Sequence, residues 1–383
     1  MEIKQVYELV NKATREILGE EQVLLEDLSN VVDTGDAVLN AGAVDKYVKA
    51  LVNHIGKVIF VNRVYRGSAP SVLMDSWEFG SVVEKIHMEL PEGEENESWE
   101  LEDRTSYDTN IFYKPKVKAK FFNKKVTFEI PISITDLQVK QSFSSAEQLN
   151  SFISMIYNEV EKSMTVKLDI LIMRTINNFI AETIYDGVGT TYTNTSMRAV
   201  NLLKLYNDAH QGNTLTQANC LESADFIKFA TRIINLYKDR MSKMSSLFNM
   251  GGTDKFTPED MLHVIMLTDF TSSAVAYLES DTYHNELVRL PKYESIAYWQ
   301  GSGEDYSFTS VSKINVNTSE NHTINVDGIL GVMFDRDALG VSNLDRRTTS
   351  HYVEKAEFTN NWFKMDAGYF NDFNENFVVF YVK

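Results

Sequence analysis

The chain carries a single cysteine, Cys220, so no disulfide can form within one copy. No stretch approaches the ~18 consecutive apolar residues of a membrane-spanning helix. Positive charge is in deficit. Against 54 Asp and Glu stand 37 Lys and Arg, a formal net charge of -17, and nucleic-acid affinity rests on basic clusters that release counterions. Any contact with DNA is therefore expected to be weak. The first twenty residues alternate charged and apolar side chains and lack the unbroken apolar core of a signal peptide. With one cysteine, this predicts a protein made in a reducing cytoplasm, where the sequons at Asn96, Asn194, Asn317 and Asn321 are chance matches.

Catalytic motifs are also missing. There is no phosphate loop, nucleophile elbow or HExxH. Asp335 to Gly340 begins like a calcium loop, but Leu339 occupies a ligand position and Arg346 stands where the closing glutamate belongs. His284 lies among Glu279, Asp281 and Glu286, a group suited to a metal or to acid-base work, and equally well explained as a polar turn between a helix and a strand. Cys220 has no neighbouring histidine to act as its base. The other histidines are scattered without ligand spacing, and Trp77, Trp99, Trp299 and Trp362 suit anchors of cores or interfaces. The expectation is no catalytic residue, no metal ligand and no cofactor.

What the chain does have is length and apolar content: 383 residues, 43% hydrophobic, enough for a large core and about two or three domains. Helical spacing (Val6, Leu9, Val10, Ala13, Ile17, then Val44, Tyr47, Val48, Leu51, Val52) predicts an N-terminal arm with two helices around a looser acidic stretch. From Gly80 the pattern turns to strands. "GSVVEKIHMEL" leads into the acidic "PEGEENESWELED", and "KPKVKAKFFNKKVTFEIPISITDL" returns, with Val126, Phe128, Ile130, Ile132 and Ile134 on one face. The two legs are expected to form one long hairpin with segregated charge. Glutamates crowd the outgoing side and tip, while Lys114, Lys116, Lys118, Lys120, Lys124 and Lys125 line the return. Such a pattern suits either a solvated loop beside a lysine-protected edge or a flap whose charges meet opposite signs on other copies of the chain.

The stretch from Ser144 to Gly187 contains no proline or glycine before its last residue. Ser144 is placed to cap a helix, with Glu147 reaching back to it, and Gly187 to stop it. At ~1.5 Å per residue this helix is about 60 Å long, as long as the ~55 Å diameter of a globule of this chain length. Its stripe of Leu149, Ile153, Ile156, Val160, Met164, Leu168 and Leu171 steps by about 3.67 residues, not the 3.5 of a left-handed coiled coil, and suits a helix lying across a sheet. A mixed region follows, with helices expected in "SMRAVNLLKLYNDAH" and "SADFIKFATRIINLYKDRMSKM". A helix start is expected at "TPED", a buried strand at "LHVIMLT" with a short helix after it, and further strands at "YESIAYW", "SFTSVSKINVN" and "GILGVMF". The chain ends in the apolar run "FVVFYV", which must pair back into an earlier sheet.

In the order of these parts the chain resembles the major capsid protein of tailed bacteriophages, whose shell fold encapsulins share. "TPEDMLHVIMLTDF", "SDTYHNELVRLP", "DGILGVMFDRDALG" and "NNWFKMDAGYFNDFNENFVVFYVK" look like that family. The resemblance implies an α+β fold in four parts. These are an N-terminal arm (1–60), the first strands with an extended β-hairpin loop (61–142), a peripheral domain with a long spine helix and the C-terminal strand (143–189 and 351–383), and an α/β axial domain (190–350). It implies a structural protein that is not an enzyme, self-assembling through head-to-tail contacts into an icosahedral shell around a phage double-stranded DNA genome. Its partners would be itself, as hexamers and pentamers, a portal, and a separate scaffold protein, since only residues 1–60 precede the first strands. Packaged DNA would touch it weakly and no membrane is involved. It would reside in the virion after assembly in the host cytoplasm. The candidates for contact between subunits are Glu92, Glu94, Glu95, Glu97, Lys116, Lys118, Lys120 and Lys124. Two other readings remain at this stage: an encapsulin-like compartment shell, and a carboxylate-dependent hydrolase centred on Glu279 to Glu286.

Overall fold

A computed structural model of the chain describes residues 3–19, 24–25, 29–41, 44–62, 68–74, 83–88, 93, 103–104, 110–212, 214–280, 289–300, 305–318 and 322–383. The N-terminal segment holds three helices, not the expected two: α1 (Ile3–Leu18), α2 (Val31–Asn40) and α3 (Val44–Asn62). The middle one lies in the acidic stretch, where Asp33 and Asp36 face water while Val31, Thr34, Gly35 and Val38 are buried. Gly35 is required there by close approach, since a Cβ on it would lie 2.4 Å from Phe143 Cβ. These helices form a cap on their own chain, with Val6, Leu9, Val10, Tyr47, Val48 and Leu51 sharing one core with Ile130, Ile134, Leu149 and Ile153.

Next come β1 (Leu73–Met74), β2 (Val83–Met88), β3 (Val117–Phe122), β4 (Lys125–Thr135), the short α4 (Asp136–Ser142) and the long α5 (Ala146–Val188). The expected rod is therefore real, 43 residues without a break, or about 65 Å. Its ends differ slightly from expectation. Ser145, not Ser144, is the N-cap, its Oγ accepting the Gln148 N–H at 3.2 Å, because Ser144 donates to Gln141 O at 2.7 Å and belongs to the turn after α4. Gly187 lies inside the helix, where a Cβ would meet Ser196 Oγ at 2.5 Å and Ala199 Cβ at 3.1 Å, and Gly189 at φ +73° ends it. All seven residues of the predicted stripe are buried. Beyond Leu171 the burial spreads to further faces of the helix, with Ile172, Met173, Ile176, Phe179, Ile180 and Ile184 all enclosed.

The second half runs β5 (Ala199–Asn201), α6 (Leu202–Ala209), α7 (Ala224–Met241), β6 (Leu262–Leu267), α8 (Thr268–Ser280), β7 (Glu294–Ile296), α9 (Phe308–Val311), β8 (Ile314–Asn317), β9 (Thr323–Val326), β10 (Ile329–Asp335), β11 (Leu339–Val353), β12 (Phe358–Asn371) and β13 (Phe377–Tyr381). The "TPED" signal starts only a 3-10 turn, Glu259–Met261, ahead of β6.

Two main sheets result. One has the order β1-β11-β12-β4, built on the long antiparallel β11–β12 hairpin, with β1 parallel to β11 at one edge and β4 antiparallel to β12 at the other. The second has the order β5-β13-β10-β6-β7 and is mixed, with β5 parallel to β13 and β7 parallel to β6. Two ribbons, β2-β3 and β8-β9, stand apart.

Two groupings differ from the sequence reading. The return leg of the expected hairpin divides at Asn123 and Lys124: β3 pairs with β2, whereas β4 is an edge strand of the four-stranded sheet. Its alternation is as predicted, but its inward face covers the helical cap and α5 rather than β2. The C-terminal strand does not join the sheet that carries the first half of the spine helix. β13 is apolar at every position, so it needs burial on both faces, and a central place between β5 and β10 supplies that. Phe377, Val379 and Tyr381 face one core with Phe179 and Ile180 of α5, and Val378 and Phe380 face another formed with α6 and α7. The spine helix thus lies in two cores, its first half under the cap and four-stranded sheet, its second half against the five-stranded sheet.

Candidate functional site

The region to which the sequence assigns subunit contacts is the β2–β3 ribbon, here the flap. Its register pairs Glu84 with Phe121, Lys85 with Lys120, Ile86 with Ala119, His87 with Lys118 and Met88 with Val117. The period of two sorts these onto two faces. One carries Lys85, His87, Lys118, Lys120 and Phe122. The other carries Glu84, Ile86, Met88, Val117, Ala119 and Phe121.

The lysine-bearing face turns toward the chain's own body. Lys120 Nζ lies 2.9 Å from Asp372 Oδ1, Lys85 Nζ lies 3.7 Å from Asp372 Oδ2, and Lys85 also donates to the Asp337 carbonyl. Lys85 sits 4.9 Å from the centre of the Phe370 ring, against which Phe122 also packs at 5.2 Å. Asp372 is buried, with only 4% of its side chain exposed, in the turn joining β12 to β13. One carboxylate thus anchors both strands of the flap.

The apolar face points outward, with Ile86, Met88, Val117 and Phe121 between 54 and 67% exposed. Ahead of β3, Ile111, Phe112 and Tyr113 are exposed as well. A patch of this kind marks an interaction surface, and an isolated two-stranded ribbon is marginal until it lies on something.

Of the eight candidate contact residues, Glu92, Glu94, Glu95 and Glu97 lie outside the described residues. Lys116, Lys118 and Lys124 are exposed. Lys120 is engaged by Asp372 of its own chain, because the pleat sets it on the inward face. The apolar outward residues escaped the sequence reading, although the alternation of Val117, Ala119 and Phe121 with Lys116, Lys118 and Lys120 carries the signal. Exposed apolar side chains recur on the outer side of α5, at Met155, Val166 and Ile170.

Cys220 is buried, and desolvation pushes its thiol up to about 12, away from the reactive thiolate. Burial pushes the His263 imidazole down, where it stacks on Phe334 at 5.8 Å. Asp335, in the calcium-like stretch, accepts the Asp337 N–H at 3.0 Å in the tight turn between β10 and β11, and desolvation raises its pKa. Among the described residues no group of three His, Cys, Asp or Glu is placed to hold a metal ion. Asp281, His284 and Glu286 lie outside them, as does the side chain of Glu279.

The architecture has known counterparts. The capsid structure of Staphylococcus phage Andhra matches with a TM-score of 0.51 at 8% identity, over 84% of this chain and 86% of that one, a likeness of fold. The capsid structure of the Cyanophage P-SCSP1u gives 0.46 at 12% identity, over 85% and 92%. No curated protein sequence matches the chain. The family model of the Phi29-like phage major capsid protein matches residues 10–381, nearly the whole length. That match over nearly the whole length shows that the chain belongs to the Phi29-like phage major capsid protein family, whose role is that of a structural protein of the phage shell and not of an enzyme.

Proposed function

We propose that the chain closes an icosahedral shell around a double-stranded DNA genome by joining copies head to tail in hexamers and pentamers. The observation that carries this is the outward apolar face of the flap, Ile86, Met88, Val117 and Phe121, on a ribbon too slight to be stable alone. A neighbouring copy covers that face. Rings form when the two patches in contact differ, so that each copy is both donor and acceptor.

In this reading the β2–β3 flap, within 61–142, overlaps the neighbour, and α5 with the four-stranded sheet, β1 and β4 included, forms the peripheral part. The five-stranded sheet with α6 to α8, within 190–350 but completed by the C-terminal strand, gathers around the five- and six-fold axes. The N-terminal segment (1–60) caps the peripheral part. The net charge of -17 keeps packaged DNA from adhering to the wall. A separate scaffold protein sets the size of the shell, a portal occupies one vertex, and assembly takes place in the host cytoplasm.

Purified full-length protein, with and without a co-expressed scaffold, tests this by electron microscopy. Closed particles or rings are expected. Monodisperse monomers under all conditions, with the flap's apolar face folded onto their own core, would refute the reading.

A further inference from the structure

The turn of residues 372–376, between β12 and β13, is bonded on two sides. On one side the Asp372 carboxylate receives Lys120 and Lys85 of the flap. On the other the turn holds the loop of residues 242–257, between α7 and β6. The Phe373 carbonyl accepts the Met250 and Gly251 N–H groups at 3.0 and 3.2 Å, and the Asn374 carbonyl accepts the Thr253 hydroxyl at 3.3 Å. Glu375 pairs with Lys255 at 2.7 Å, and Asn376 donates to the Thr257 hydroxyl at 3.1 Å. Just past the turn, Phe377 donates its N–H to the Phe248 carbonyl at 2.9 Å. The loop so braced holds Met244, Leu247 and Phe256 in water, at 49, 54 and 52% exposure.

The two sides of the turn are not independent, because the carboxylate between them is buried. Its Oδ1 accepts the Asn374 N–H at 3.2 Å, and the two flap lysines supply the opposite charge. Taking both lysines away strands a negative charge out of water, and breaking a buried pair from one side is strongly unfavourable. The turn then shifts to bring Asp372 to solvent. The bonds that shape the 242–257 loop leave from the same turn, so they loosen with it.

We infer that the 372–376 turn is a relay between the flap and the 242–257 loop. A flap seated on Asp372 keeps the loop braced; a flap drawn off Asp372 frees the turn and, with it, the loop and its exposed apolar side chains. The buried carboxylate is the element whose arrangement both ends bias. The relay is a property of the single chain, and only its use, with a neighbouring copy drawing the flap away, rests on the shell reading.

The test is hydrogen exchange in the unassembled full-length chain, so its outcome is separate from that of particle formation. Lys85→Met with Lys120→Met keeps both unbranched stems and removes both charges. The Met250 and Gly251 amides should then exchange more than about tenfold faster, while β10 keeps its protection. Adding Asp372→Asn to the same chain removes the stranded charge. Protection of the two loop amides should return to within about threefold of wild type, although the flap stays loose. Unchanged exchange at Met250 and Gly251 in the double variant overturns the relay, and so does an equal rise in β10, the mark of general unfolding. A triple variant that exchanges as fast as the double overturns it too, because the loop would then be answering to the lost flap and not to the buried carboxylate.

Discussion

Replacing Asp372 with asparagine should loosen the flap while leaving both sheets folded. Its carboxylate is 4% exposed and holds Lys120 at 2.9 Å and Lys85 at 3.7 Å. A hydrogen bond to a charged group contributes about 1.5–3 kcal/mol. Lys120 is 41% exposed, so solvent screens part of this and the lower end applies, about 1.5–2 kcal/mol for docking of the flap. The asparagine keeps an oxygen for the Asn374 N–H, 3.2 Å away in the native turn, so the turn itself should survive. Lys85 keeps the Asp337 carbonyl, and Phe122 keeps Phe370. An opening free energy lowered by this amount multiplies the undocked population about 10- to 30-fold. Because the undocked ribbon is marginal by itself, hydrogen exchange of the β2 and β3 amides in the unassembled chain should quicken by that factor, with β10 and β13 unchanged. Unaltered protection in the flap, or an equal rise in β13, would show that Asp372 does not anchor it.

Ile86→Ser with Met88→Ser should change the melting of the unassembled chain by no more than about 0.5 kcal/mol, as surface substitutions do, yet abolish particles seen by electron microscopy. Phe179→Ala should cost about 3–5 kcal/mol in urea denaturation, because this fully buried ring stacks on Phe377 at 4.0 Å and joins the spine helix to the C-terminal strand. Gly187→Ala gains roughly 1 kcal/mol of helix propensity. Its methyl would nevertheless lie 2.5 Å from Ser196 Oγ, which accepts the Ala199 N–H at 3.0 Å, and crowding costs about 1–3 kcal/mol, so the net change should be destabilising. Hydrogen bonds from Arg347 and Thr127 hold the Asp366 carboxyl below its ordinary value. A depressed acid stabilises fully above its unfolded pKa of ~3.9 and loses that contribution as pH falls through the native value. Asp366→Asn should therefore melt lower than wild type at pH 7, and the gap should close below about pH 4.

Much of the local structure was legible because it depends on neighbours in sequence. The stripe from Leu149 to Leu171, Val126 to Ile134 at a period of two, and the apolar "LHVIML" all formed the elements their spacing implied. Cap positions moved by one or two residues where competing partners existed, as with Ser144 and Gly187. The second helix of the cap escaped notice because Asp33 and Asp36 lie on its solvent side and give the stretch an acidic, loop-like look. The flap was legible from its strand pattern, but the reading rested on its lysines and did not single out the exposed apolar side that carries Ile86, Met88, Val117 and Phe121.

The sequence by itself determined the length of the rod, the alternation of the strands and the lack of recognisable catalytic motifs, since periodicity, capping and motif chemistry are written in consecutive residues. Tertiary structure alone decided which sheet each strand joined and which side of the flap met water. Those outcomes turn on partners far apart in the chain: Lys120 reaches Asp372 across 252 positions, and β13 finds a slot between two strands that bury it on both faces. No local pattern in "VKAKFF" states that a buried carboxylate will wait on one side of it.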